Sequence, residues 1–188
     1  MELEEHLGGH QGKTHTDEGT LRWAIEKLQV QSLLDVGCGP GGMVELANQL
    51  GVNAYGIDGD YTLERYNESK FMIHDFTKGP APISGNYDLA WSVEFVEHVY
   101  EEYIPNYIQA MEKCKFLIMT YAPVGHGGHH HVNENTEEYW IKTMSDYGFK
   151  YLKDLSEEMR RHSTMGTKMK HRFLARTGLL FKNERSSN

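Results

Sequence analysis

"LLDVGCGPGG", residues 33–42, is the stretch on which the fold turns. A short apolar run suited to a buried strand passes straight into a glycine-rich bend. Beyond the bend, Met43, Val44, Ala47 and Leu50 fall at helical spacing. Gly37, Gly39 and Gly41 let the backbone turn tightly and approach a ligand with no Cβ in the way. The helix start that follows offers unpaired N–H groups. Gly37, Gly39 and Gly42 also read as G-x-G-x-x-G, a dinucleotide pattern that is weak evidence by itself.

Further short apolar runs follow: "NAYGID" (53–58), "KFMIHD" (70–75), "YDLAWS" (87–92) and "KFLIMTYAP" (115–123). Helical spacing recurs between and after them. Val96, Val99, Tyr103, Tyr107, Ala110 and Met111 suggest one or two helices broken at Pro105, and "TEEYWIKTMSDYGF" is a helix stopped by Gly148. "KYLKDLS" and "RFLARTGLLFKN" read as two last strands with no helix between them, an antiparallel hairpin at one sheet edge. Strand and helix alternate, so the expected fold is α/β: a mostly parallel sheet covered by helices. A single domain over 1–188 is expected, with residues 1–20 a candidate mobile lid that carries His10, His15 and Asp17.

Composition narrows the class. The chain has 188 residues, 39% hydrophobic and 24% charged, with a net charge of -8. No apolar run approaches the roughly 20 residues of a membrane helix, so no membrane partner is expected. The acidic, polar start has no signal-peptide pattern, which points to the cytoplasm. Cys38 and Cys114 form neither a disulfide framework nor a zinc spacing and are read as reduced. The acidic net charge argues against a general nucleic-acid groove. One region runs the other way: from Lys150 to Arg185 there are ten Lys/Arg against four Asp/Glu.

Three acids sharpen the glycine bend. Asp35 sits in the strand end, where a carboxylate suits a ligand bearing a cation and not a pyrophosphate. Asp58 ends the second strand, where an acid can accept both ribose hydroxyls. Asp75 followed by Phe76 ends the third, where an acid can accept an adenine amino proton and an aromatic can cover the ring. Together they describe a slot for a nucleoside with a positive far end.

This combination resembles the class I S-adenosylmethionine-dependent methyltransferases, through "DVGCGPG" (35–41), "GIDGD" (56–60), "HDF" (74–76) and "YDLAWS" (87–92). The resemblance implies a Rossmann-like, doubly wound, seven-stranded α/β sheet, mostly parallel with an antiparallel C-terminal strand pair and helices on both faces, and S-adenosylmethionine as cofactor. It implies that Asp35, Gly37, Gly39 and Gly41 hold the methionine end, Asp58 with Gly59 the ribose, Asp75 with Phe76 the adenine, and that Trp91 and Ser92 line the methyl-donor side.

After the fourth strand, "WSVEFVEHV" (91–99) places Glu94, Glu97 and His98 at positions that share one face if the turns are helical. The loop after the fifth strand, "VGHGGHHHVNENTEEYW", brings His126, His129, His130 and His131 to the same rim. Two carboxylates and one or two imidazoles make a mixed O/N site for a divalent cation: Mg, Mn, Fe or Zn. The E-x-x-E-H pattern is similar to that of two metal-dependent branches, the ubiquinone-biosynthesis and the small-RNA 3′-terminal O-methyltransferases. That similarity implies Glu94, Glu97, His98 and His131 as ligands, with His129 and His130 as alternatives for the last. His98, His130 and His131 are the candidate general bases. Without a metal, the acids would cap a helix start and the histidine support the pocket wall.

The expected activity is methyl transfer to oxygen on a small hydroxylated acceptor: a sugar, a catechol or another vicinal diol. A nucleic-acid partner is not expected, because the charge is acidic and the appended RNA-binding modules are absent. The oligomeric state is left open. Two other classes compete. A catalytically silent cofactor-binding module would lack a use for the 94–98 cluster. A nicotinamide-dependent oxidoreductase would need a second substrate region and would sit poorly with Asp35.

Overall fold

The computed structural model describes residues 3–8, 12–166 and 171–186. Its strands are β1 (Ser32–Val36), β2 (Asn53–Asp58), β3 (Phe71–Ile73), β4 (Tyr87–Ser92), β5 (Cys114–Met119), β6 (Phe149–Tyr151) and β7 (Leu179–Asn183). The helices are α1 (Glu18–Leu28), α2 (Gly42–Gln49), α3 (Ile104–Met111), α4 (Glu137–Asp146), α5 (Lys153–His162) and α6 (Phe173–Thr177). One seven-stranded sheet runs in the order β3-β2-β1-β4-β5-β7-β6. The pairs among β1 to β5 are parallel, and β7 pairs antiparallel with both β5 and β6.

Strand periodicity splits the core into two layers. Leu34, Ala90, Leu117 and Phe181 face one side, against Tyr107, Ile108 and Met111 of α3 and Trp140 and Met144 of α4. Their neighbours Leu33, Leu89, Ile118 and Leu180 face the other, against Leu21 and Ala24 of α1, Met43, Val44 and Ala47 of α2, and Met159 of α5. Both faces of the central strands are covered, which is why they read as continuous apolar runs.

The chain reaches β3 at one edge, then returns to place β4 on the other side of β1. That reversal opens a crevice outside the carboxyl ends of β1 and β4, where ligands of open α/β sheets bind. Gly41 starts α2 beside it with φ 87°, and a Cβ there would stand 2.4 Å from the Phe71 ring.

The tail departs from the sequence expectation. "KYLKDLS" is a strand only through Tyr151; Lys153 onward is α5. "RFLARTGLLFKN" begins as α6 and becomes β7 at Leu179. The last strands are therefore antiparallel partners without being a hairpin: two helices separate them, and β7 lies inside the sheet with β6 at its edge. In α5 the buried residues are only Ser156 and Met159, too sparse an apolar stripe to announce a helix. α1 was not foreseen; Asp17 caps it, accepting from Thr20 N at 2.8 Å. Both cysteines are buried and free. Among the described residues, no helix is long and apolar enough to cross a membrane.

Candidate active site

A cavity of about 410 Å³ lies at the carboxyl ends of β1, β2 and β4. Asp35, Gly37, Gly39, Asp58, Gly59, Asp75, Phe76 and Trp91 all line it. The sequence thus brings together eight of the residues expected around the cofactor. Ser92 and Gly41 are elsewhere in use: the Ser92 hydroxyl donates to the Val36 carbonyl at 3.1 Å, and Gly41 packs on Phe71.

Asp35 is almost wholly buried, and burial, with the Asp58 charge added, holds its carboxyl well above the ordinary range. Asp58 is oriented by backbone: Gly39 N–H donates to one carboxylate oxygen at 2.7 Å and Asp60 N–H to the other at 2.8 Å. The buried Arg65 guanidinium ties the loop after β2 to this turn, donating to the Gly39 carbonyl at 3.1 Å and to the Asp60 carbonyl at 3.1 Å. Arg65 has no pattern around it in the sequence and was missed.

Gly37 has φ 79°, and a Cβ there would fall 2.2 Å from the Phe95 ring. Gly37→Ala is therefore expected to cost about 3 kcal/mol of stability, through overpacking and a left-handed alanine. A urea melt of the variant checks this.

Asp75 caps a 3₁₀ turn over Phe76–Lys78, accepting from Thr77 N at 2.8 Å and Thr77 Oγ1 at 2.9 Å. Burial raises its carboxyl, but the Thr77 bonds and His6 more than offset this and leave it below its ordinary value. Phe76 packs edge-on against Phe95 and Tyr107.

The N-terminal residues cross the same cavity. His6 Nε2 stands 3.3 Å from Asp75 Oδ2, Leu7 packs over Gly59, and the His129 ring meets the Glu5 carbonyl at 3.2 Å. Thr14 Oγ1 accepts from Gly42 N in the first turn of α2, at 3.0 Å. His10 lies outside the described residues.

Residues 94–98 do not form the helical turn that was expected. Glu94 is left-handed, with φ 55°, and Val96–His98 is a single 3₁₀ turn. A left-handed glutamate is strained by about 1–3 kcal/mol. The Glu94 amide is held by Thr120 Oγ1 at 2.9 Å. The Glu97 carbonyl accepts from Val132 N at 2.9 Å and Asn133 N at 3.1 Å, which lays the loop after β5 against the 3₁₀ turn. In consequence Glu97, His98 and His131 each bring a ligand atom within 4.8 Å of the others. Glu94 is outside this triad but touches it: burial first, then the Glu97 charge, pushes the Glu94 carboxyl up to about 9. His130 is also outside, with φ 48° and its ring edge-on to Tyr100.

The electrostatics are those of donors without a partner. Glu97 is fully buried, and both its carboxylate oxygens, with His98 Nδ1, are sealed from solvent without a well-formed hydrogen bond. Burial first, then the His131 ring, pushes His98 down to about 4. Glu134 orients His131: its carboxylate meets His131 Nδ1 at 3.0 Å and accepts from Gly125 N at 2.8 Å and Gly127 N at 2.6 Å. A carboxylate behind an imidazole is the usual support of a metal ligand. Glu134 was missed, although its i+3 spacing from His131 was there to read.

Comparison with known proteins gives the family and the fold. A family model described as a methyltransferase domain matches residues 10–154. No curated protein matches the chain in sequence. Among solved structures, the chain is similar to magnesium protoporphyrin IX methyltransferase (ChlM) from Synechocystis PCC 6803 with bound SAM: 19% identity, 86% of this chain and 74% of that one, TM-score 0.57. It is similar to a TehB-like SAM-dependent methyltransferase from Corynebacterium glutamicum: 14% identity, 88% of each chain, TM-score 0.61. It is also similar to the methyltransferase domain of bacterial CtHen1: 16% identity, 87% of this chain and 95% of that one, TM-score 0.58. At these identities the likeness is one of fold. The last of them corrects one expectation. Nucleic acid was set aside because the charge is acidic and appended RNA-binding modules are absent, yet the chain matches the CtHen1 methyltransferase domain over 95% of that domain's length. The exclusion of a nucleic-acid partner does not stand.

Proposed function

The chain belongs to the methyltransferase-domain family, and from that premise we propose that it transfers the methyl group of S-adenosylmethionine to a hydroxyl of an acceptor carrying neighbouring hydroxyls, in the manner of the E-x-x-E-H branches. The observation that carries the reading is the Asp35–Asp58 pair: two acids at a glycine bend, one of them held protonation-prone by burial and by the other, both lining one cavity. A positively charged nucleoside relieves that repulsion; a pyrophosphate would worsen it. Asp58, its direction fixed by the Gly39 and Asp60 backbone N–H groups, is the acid assigned to the ribose hydroxyls. Phe76 and Phe95 close the apolar wall beside the nucleoside.

S-adenosylmethionine supplies an electrophilic methyl group on a sulfonium centre. The unpartnered oxygens of Glu97 and the imidazoles of His98 and His131 fit a divalent cation, and two imidazoles favour Mn, Fe or Zn over Mg. Such a cation lowers the pKa of an acceptor hydroxyl and fixes its orientation. Glu134 keeps the His131 ring turned toward the triad. His130, a base expected from the sequence, stands outside the triad with its ring against Tyr100 and does not line the cavity, so no proton transfer is assigned to it. The N-terminal residues 3–8 act as a lid over the adenosine end, through His6 on Asp75 and Leu7 on Gly59.

Calorimetry with S-adenosylhomocysteine and with NAD tests the reading. S-adenosylhomocysteine should bind and NAD should not. Asp58→Ala should weaken S-adenosylhomocysteine about 10- to 100-fold, the worth of hydrogen bonds to a charged group. Binding of NAD with no binding of S-adenosylhomocysteine would refute it.

A further inference from the structure

The two sides of the cavity differ in charge. Asp35, Asp58 and Asp75 stand at the tips of β1 to β3. On the side that leads into β7, the lining is Lys13, His15, His171 and Phe173. The His15 ring lies 5.3 Å from His171 and 5.1 Å from an edge-on Phe173, measured between centroids. Nothing in the reading so far uses these groups.

The cluster is held from both directions. Asp17, two residues after His15, is fully buried and accepts from Thr164 N at 3.0 Å and Met165 N at 3.3 Å, which joins the start of α1 to the segment before His171. Gly166, with φ 66°, lies so close that a Cβ there would stand 2.6 Å from the His171 carbonyl. Phe173 also lines a small hollow with Glu94 and Arg176, so the cluster is continuous with the triad side of the cavity. Burial first, then His171 and Lys13, lowers the His15 imidazole below its ordinary value, as expected where cationic groups crowd a half-buried ring.

An acid-lined side suits a cationic donor. A side lined by an ammonium and two imidazoles, with an aromatic wall, suits an anion on a flat ring or sugar. The cluster spans two neighbours: Thr14, between Lys13 and His15, accepts from Gly42 N at the start of α2, and Phe173 shares the small hollow with Glu94. We propose that Lys13, His15, His171 and Phe173 form a subsite for an acidic group of the methyl acceptor, a carboxylate or phosphate borne by the same ring or sugar as the hydroxyls. This rests on the methyl-transfer reading. The methionine carboxylate of the cofactor is the competing occupant.

The test is calorimetric titration, with and without saturating S-adenosylhomocysteine, of two matched pairs: 3,4-dihydroxybenzoate against catechol, and uridine 5′-monophosphate against uridine. In at least one pair the acid should bind about ten-fold tighter than its neutral partner, as for a charge-assisted contact. The pair that shows it distinguishes carboxylate from phosphate. His171→Gln and His15→Gln should each shrink the difference, and the double variant should bring it to within about two-fold, with S-adenosylhomocysteine affinity held within the same margin. Equal binding in both pairs overturns the subsite. So does a preference that survives the double variant, or variants that lose S-adenosylhomocysteine instead. Failure of S-adenosylhomocysteine to bind the unaltered protein would sink the methyl-transfer reading, and the cofactor-free titrations would still decide whether the cluster takes an anion.

Discussion

Asp17→Ala should destabilise the protein by about 4 kcal/mol, the largest loss expected from any single side chain outside the apolar core. Asp17 has no solvent exposure and serves two segments at once. One oxygen accepts from Thr20 N at 2.8 Å and caps α1; the same oxygen takes Thr164 N at 3.0 Å. The other takes the Ser163 hydroxyl and Met165 N. Alanine leaves Thr20 N and Met165 N buried and unmet, at about 1–3 kcal/mol each, and also frees the part-buried Thr164 N and Ser163 hydroxyl. Asp17→Asn keeps one acceptor oxygen and should lose about half as much. Urea unfolding of the pair gives both numbers. If Asp17→Ala loses under about 1 kcal/mol, the network is not what binds the N-terminal residues to the segment after α5.

The second large effect is a dependence on pH that a metal should erase. Glu97 and Glu94 both titrate above the ordinary carboxylate range; burial is the main cause, with the Glu97 charge adding to it for Glu94 and the Glu134 charge for Glu97. An acid raised by folding contributes stability that is fully present below its unfolded pKa and is lost as pH climbs through its folded one. His98 runs the opposite way. Pushed down to about 4 from 6.5, it adds stability as pH rises toward 6.5 and nothing beyond. The net decline is therefore cleanest above neutrality. EDTA-treated protein should lose on the order of 3 kcal/mol between the weakly acidic range and the upper end of the pair's titration. Glu97→Gln should flatten that decline, and it should also abolish the stabilisation that added Mn²⁺ gives the unaltered protein. An unchanged slope in Glu97→Gln would show that the buried pair is not its origin. Mn²⁺ stabilising both proteins alike would remove Glu97 from the ligand set.

What could be read in advance followed burial. β1, β2 and β4 were legible to the residue, because strands covered on both faces are continuous apolar runs between turn residues. α5 was not, because "KDLSEEMRRH" buries so little that its alternating start looked like a strand. α1 sat in a stretch whose histidines and glycines drew attention from Leu21 and Ala24, which are fully buried. The acids at the strand tips were visible as chemistry, and all three line the cavity. The metal cluster was visible as a spacing, but the geometry that makes it is tertiary. Glu94 is left-handed, and His131 arrives because Val132 and Asn133 bond the Glu97 carbonyl. Hydrogen bonds between residues so far apart in the chain leave no periodicity to find. Arg65 was missed for the same reason, and Asp17, read only as part of a lid, bonds Thr164 and Met165 across the chain.

The placement of β7 bears on how the molecule comes to be made. β6 pairs only with β7 in the sheet, and β5 finds its outer neighbour only in β7. While the ribosome is still adding residues short of Leu179, the β5 edge of the nascent chain has open backbone groups and β6 has nothing to dock on. Of the seven strands described, β7 comes last in chain order, so the sheet closes between β5 and β6 only when Leu179–Asn183 has been made, and until then β5 presents an unpaired edge of the kind prone to pairing with other chains.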